Sequence, residues 1–208
     1  NFISSKQIAV SQSGFEPHNL SGSLFEYQRH CVEFALRAGR SAMFLDTGLG
    51  KTFCQLEYAR EVVEHTNQPV LVLTPLAVAA QTAREADKFG IDAKVIRDDG
   101  DVFNGVNIIN YDRLDRLDVS QFSGVILDES SILKNFSGKT RNQLVNAFRN
   151  TPYRLACTAT PSPNDHTELG NHSEFLGVLN HADMLPRWFI NDTMNTGDWR
   201  LKGHAVRP

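Results

Sequence analysis

Leu45-Asp46-Thr47-Gly48-Leu49-Gly50-Lys51-Thr52 follows the apolar run Ala42-Met43-Phe44-Leu45 and precedes Phe53, Leu56, Ala59 and Val63. The run reads as a buried strand and the following residues recur at helical spacing, so a strand, a glycine loop and a helix come in order. In that context Gly48 and Gly50 let the backbone turn tightly enough for successive N–H groups to face phosphate oxygens. The helix N-terminus adds its partial positive charge. Lys51 would reach the outer phosphates and Thr52 would offer its hydroxyl to magnesium, with Thr47 and Leu49 completing the loop. The pattern G-x-x-x-x-G-K-[ST] is incomplete, because Leu45 stands where its first glycine belongs.

A second stretch, Val125-Ile126-Leu127-Asp128-Glu129-Ser130-Ser131, supplies the other half of such a site. Three apolar residues deliver Asp128 and Glu129 to the C-terminal end of another buried strand, the edge on which open α/β sheets bind ligands. Asp128 would hold Mg2+ and Glu129 would orient or deprotonate the attacking water. The plainer alternative is a glycine turn before a helix together with a surface Asp-Glu pair. The strand context of both motifs favours an ATP and Mg2+ site.

The chain has 208 residues, 41% hydrophobic and 22% charged, with a formal charge of −3. That is ordinary composition for one compact domain with a short extension, and it excludes a generally basic protein, so any nucleic-acid contact must use a local patch. Cys31, Cys54 and Cys157 lie far apart and form neither a zinc pattern nor a disulfide framework. The histidines show no metal-ligand spacing, and no stretch has the length of a membrane span or the order of a secretory signal. The expectation is a soluble, cytoplasmic protein, not secreted and without a membrane partner. The start at Asn1 and the stop at Pro208 suggest a piece of something longer.

Apolar, β-branched runs recur at 42–45, 70–74, 93–96, 106–110, 124–128 and 154–159. Helix-like segments fall at roughly 25–38, 51–65, 76–89, 139–150 and 164–179, and 98–105 reads as a surface turn. The alternation predicts an α/β fold: a doubly wound, mainly parallel sheet flanked by helices. The expected division is a lead-in over 1–20, a nucleotide-binding lobe over 21–179 and an extension over 180–208 that loses the rhythm and leans on a missing neighbour.

Further signals lie at strand ends and before the loop. Gln28 precedes Lys51 by 23 residues, and its carboxamide could pair with the adenine edge as donor and acceptor, selecting ATP over GTP. Thr74-Pro75 and Asn110-Tyr111 follow two further strands, Lys134-Asn135 follows the Asp-Glu pair, and Thr158-Ala159-Thr160-Pro161 ends the last strand.

This order resembles the first RecA-like motor lobe of superfamily-two helicases, and specifically the Swi/Snf-type ATPases that translocate on double-stranded DNA. Asp128-Glu129, Lys134-Asn135, Ser137, Lys139 and Leu144 resemble the stretch after that family's Asp-Glu-Ala-His box, with Ser130-Ser131 in place of Ala-His. Asp46-Thr47-Gly48-Leu49-Gly50-Lys51-Thr52 is similar to its Asp-Glu-Met-Gly-Leu-Gly-Lys-Thr. The compact form, with the closing Trp199-Arg200-Leu201-Lys202-Gly203-His204, looks like a group found in phage and bacterial genomes.

The resemblance implies that Thr74, Pro75, Asn110 and Tyr111 lie along a DNA track and contact phosphates, although the same residues would serve simply to end strands and cap helices. It implies that Thr158 and Thr160 couple the γ-phosphate state to the lobe interface, against ordinary strand-end hydrogen bonding. Lys134, with Lys139 and Arg141, would touch DNA backbone or form a solvated helix face. A second RecA-like lobe in the parent chain would supply the arginines that complete the ATP site. The rival readings are a strand-separating helicase or restriction-system motor subunit, and a non-hydrolysing nucleotide switch.

Overall fold

The computed structural model describes residues 13–134, 138–162, 166–191 and 199–202, with side chains described for all of these except 134 and 138–140. Helix α1 (Glu26–Ala38) leads into β1 (Arg40–Phe44), α2 (Lys51–Thr66), β2 (Val70–Thr74), α3 (Ala79–Lys88), β3 (Ala93–Val95), β4 (Val106–Asn110) and β5 (Gly124–Asp128). Then follow α4 (Gly138–Ala147), β6 (Tyr153–Thr158), α5 (Leu169–Leu176), α6 (His181–Trp188), β7 (Phe189–Asn191) and β8 (Trp199–Leu201). The first six strands form one sheet in the order β1-β6-β5-β2-β4-β3, with every pair parallel. The doubly wound α/β expectation is met.

The sheet is covered on both faces, as a parallel sheet must be, and the strand period of two sorts its side chains between the two layers. Val70, Val72, Ile108, Ile126, Leu155 and Cys157 pack with Val32, Leu36, Leu56, Ala59 and Val62 of α1 and α2. Leu71, Leu73, Ile109, Val125, Leu127 and Ala156 face the opposite layer with Leu144, Phe148, Phe175 and Leu176. Every residue of β2, β4, β5 and β6 is buried. Their C-terminal ends bring Thr158, Asp128, Thr74 and Asn110 into a row beside the exit of β1.

Several boundaries differ from the sequence expectation. Helix α3 begins at Ala79 rather than at 76, because the Val78 N–H bonds the Pro75 carbonyl at 3.0 Å and makes a turn first. The helix expected over 164–179 is a 3-10 turn at His166–Glu168 followed by α5, which stops at Gly177 with φ 70°. Beyond 180 the chain does not lose its rhythm entirely. It forms α6 and an antiparallel β7–β8 pair, with Met184 and Phe189 buried. Pro186 inside α6 and three-residue strands left too little periodicity to read.

One buried cation fastens the second layer. Arg154 on β6 is 2% exposed and donates to the Thr151, Phe175 and Arg149 carbonyls at 2.9, 2.6 and 2.7 Å. Burial, with Arg40 alongside, lowers its pKa to about 10. The Phe175 carbonyl ties α5 to the sheet, and the Thr151 and Arg149 carbonyls tie down the connection from α4 into β6. Among the described residues no helix is long and apolar enough to cross a membrane.

Candidate nucleotide site

The loop between β1 and α2 is shaped by two glycines and held by α1. Gly48 (φ 85°) and Gly50 (φ 69°) both adopt left-handed backbone, which other residues adopt only at a cost. A side chain at Gly50 would also collide with the Gln28 amide nitrogen. Gln28 Nε2 and the Tyr27 hydroxyl both donate to the Leu49 carbonyl at 3.1 Å, and Gln28 Oε1 accepts from the Phe25 N–H at 3.0 Å. Gln28, 4% exposed, therefore braces the loop and closes the first turn of α1. The Asp46 carboxylate accepts the Thr47 N–H at 2.7 Å, and Lys51 Nζ lies 3.4 Å from the Leu45 carbonyl.

At the end of β5 the Asp128 carboxylate is held from below. Gln55 Nε2, one turn into α2, donates to Asp128 Oδ1 at 2.8 Å. Burial pushes the Asp128 carboxyl above the usual carboxylate range, while the Gln55 bond and the charge of Lys51 oppose that rise. The Tyr111 hydroxyl donates to the Asp128 main-chain carbonyl at 2.8 Å. Asp128 is thus fixed at both its side chain and its backbone.

Glu129 is the only described residue besides Asn67 that is not glycine and has a positive φ, at 56°. For a residue with a Cβ that conformation costs about 1–2 kcal/mol, and such strain persists where surrounding contacts over-determine it. Here the contacts are two hydroxyls. Ser131 Oγ and Thr158 Oγ1 both donate to Glu129 Oε1 at 2.6 Å. Thr158 Oγ1 in turn accepts the Thr160 N–H at 3.0 Å. The two threonines expected to couple the γ-phosphate state to the lobe interface are therefore linked to the carboxylate expected to act on water.

Gln28, Thr47, Gly48, Gly50, Lys51, Thr52 and Glu129 line one cleft of about 720 Å³. Its volume falls within the ~300–1,000 Å³ of ordinary small-molecule sites. Phe25, 67% exposed, forms part of its wall and stacks near Tyr27. The donor set suits Mg2+ in the presence of phosphates. Among the described residues no group of three or more His, Cys, Asp or Glu could hold a metal ion. A hydroxyl and one or two carboxylates, with phosphate oxygens and water completing the octahedron, is what Mg2+ takes.

Sequence reasoning missed Phe25, Gln55 and Ser131. Phe25 had a local signal, an aromatic beside Gln28 at the mouth of the loop, whereas Gln55 and Ser131 had none. Each of these two acts on a carboxylate by an orientation that only the fold sets.

The residues expected on a DNA track are mostly turned inward. Thr74 is 0% exposed and donates to the Pro75 carbonyl at 3.2 Å; Asn110 is buried, and so is Tyr111. Pro75 is half-buried, and the adjacent Leu76 is 69% exposed. Lys134 ends the 3-10 turn Ser130–Lys134, and its side chain, like that of Lys139, lies outside the described residues. Arg141 reaches Asn171 at 2.8 Å. The Tyr111 hydroxyl is committed to Asp128, and burial raises its phenol well above its ordinary pKa. Tyr111→Phe is therefore expected to lower stability by about 1 kcal/mol, as thermal or urea unfolding would measure. Unchanged stability would reverse that assignment.

The model of the SNF2-related domain matches residues 27–203. A SWI/SNF-related matrix-associated actin-dependent regulator of chromatin subfamily A-like protein 1 from Xenopus laevis is 29% identical over 164 residues, covering 72% of this chain and 17% of that protein. The DNA 3'-5' translocase XPB2 of Sulfurisphaera tokodaii is 29% identical over 148 residues, covering 68% of this chain and 32% of that protein. The chain thus spans a third or less of the length of these curated relatives. Among solved structures, the Sulfolobus solfataricus SWI2/SNF2 ATPase core in complex with dsDNA superposes with a TM-score of 0.70 at 22% identity, over 84% of this chain and 40% of that one. The UvsW helicase of bacteriophage T4 gives 0.62 at 18%, over 81% and 63%. These two establish likeness of fold, and the sheet is that of a RecA-like helicase lobe. With the family model covering most of its length, the chain belongs to the SNF2-related domain family.

Proposed function

We propose that this chain is the first, ATP-binding lobe of a DNA translocase motor, and that a second RecA-like lobe completes its phosphate site. The observation that carries this reading is the convergence on one sheet edge of the glycine loop with Lys51, the braced Asp128 and the Glu129–Thr158 pair. In this reading the loop amides and Lys51 hold the phosphates. Gln28 retains one amide hydrogen and one carbonyl lone pair for the adenine edge, and Phe25 offers the base an aromatic face. Thr52 and Asp128 would hold Mg2+, which supplies charge neutralisation at the phosphates.

Glu129 takes the proton of the attacking water, or orients that water in line with the terminal phosphate. Its clamp by two hydroxyls favours a hydrolysing site over a passive nucleotide switch. The archaeal SWI2/SNF2 core named above was solved with duplex DNA. The same polymer is the proposed partner here, bound through phosphates. With Thr74 and Asn110 buried, contact from those strand ends would come from main-chain groups and from the exposed turn at Pro75 and Leu76.

A lobe that lacks a partner's arginine lacks a group worth about 10³–10⁵ in rate. The chain alone is therefore expected to bind MgATP but to hydrolyse it at least ~1,000-fold more slowly than the full-length protein with duplex DNA. Steady-state hydrolysis by both, with and without duplex, makes the comparison. Fast, DNA-stimulated turnover by this chain alone would overturn the half-site reading. Residual duplex binding should be indifferent to base sequence and fall steeply with salt.

A further inference from the structure

We infer that Ser131 is a positioning residue for Glu129, forming with Thr158 a two-hydroxyl clamp that sets where the carboxylate stands during hydrolysis. The inference rests on the reading of Glu129 as the group that acts on water. Where the resembling family carries histidine at the end of its Asp-Glu-Ala-His box, this chain carries Ser131. Its side chain turns back two residues and donates to Glu129 Oε1 at 2.6 Å.

The two jaws of the clamp come from different places. Ser131 belongs to the same exit turn as Glu129, closed by the Ile132 N–H on the Glu129 carbonyl at 3.0 Å. Thr158 comes from the neighbouring strand β6 and meets the same oxygen at 2.6 Å. Two short, charge-assisted bonds to one carboxylate oxygen fix both the distance and the rotation of the carboxylate plane. The left-handed backbone at Glu129 makes this support necessary. Glu129 stands at φ 56° between the last residue of β5 and the 3-10 turn that begins at Ser130, a conformation that persists where surrounding contacts hold it.

Ser131 is not among the residues lining the nucleotide cleft and acts only through Glu129. Its removal therefore lowers turnover without weakening nucleotide binding. In the full-length protein with duplex DNA, Ser131→Ala is expected to lower kcat about tenfold or more, the factor carried by one hydrogen bond to a charged group. KM for ATP should stay within about twofold, since ground-state binding is untouched. Ser131→Thr keeps the hydroxyl and should recover most of the rate. In a Glu129→Gln background, Ser131→Ala should cause no further loss, because the group it positions is already disabled.

Wild-type kcat in Ser131→Ala, or an undiminished loss from that substitution in the Glu129→Gln background, would overturn the clamp. Failure of the underlying reading has a different signature: Glu129→Gln would itself turn over at the wild-type rate. Failure of the Ser131→Thr variant to recover turnover while its melting temperature matches the wild type would also count against the hydroxyl.

Discussion

Lys51→Ala is expected to lose MgATP affinity by about 100-fold or more while the protein keeps its fold. Lys51 sits at the first position of α2, with its Nζ 3.4 Å from the Leu45 carbonyl, and lines the cleft beside the glycine loop. Removing it would delete charge-assisted bonds to the outer phosphates, each worth about 1.5–3 kcal/mol, and leave the loop amides, the helix terminus and Mg2+ to hold them. A half-buried side chain at a helix start has little packing to lose, so the melting temperature should barely move. Titration of wild type and variant with a fluorescent ATP analogue in Mg2+ measures the effect. Equal affinities would remove the phosphate-loop assignment, and a parallel titration with a GTP analogue tests the adenine role of Gln28.

Glu129→Gln is expected to bind nucleotide as the wild type does and to hydrolyse it about 10²–10⁴-fold more slowly in the full-length protein. The amide keeps the shape of the side chain, and its carbonyl oxygen still accepts from Ser131 and Thr158. Only the capacity to take a proton is lost. The variant therefore separates chemistry from binding: kcat falls, whereas the nucleotide dissociation constant holds. Single-turnover hydrolysis with bound MgATP reads the chemical step directly. A wild-type rate there would show that Glu129 does not act on the water.

The sheet was legible because its four central strands are buried on both faces and their apolar runs are continuous, a pattern few other elements share. The glycine loop was legible for a related reason. Gly48 and Gly50 are demanded by their own backbone angles, which is a local property written into the residue type. The tail beyond 180 was not legible, since a proline inside a short helix and three-residue strands carry no period.

The residues expected along a track mark where local reading left two roles open. Thr74, Asn110 and Tyr111 are polar residues at strand ends, and from sequence a strand end is equally a capping position or a surface. The fold decided by pointing Tyr111 inward to the Asp128 carbonyl. Sequence alone thus determined the strands of the main sheet, their mainly parallel running and the glycine loop and acidic pair at two strand exits, because each depends on residues adjacent in the chain. Only tertiary structure decided what holds that pair: Gln55 lies 73 positions from Asp128 and Thr158 lies 29 from Glu129. A side chain's direction at a strand end is set by the neighbouring strand and the helix beneath it, and those neighbours exist only once the sheet has closed.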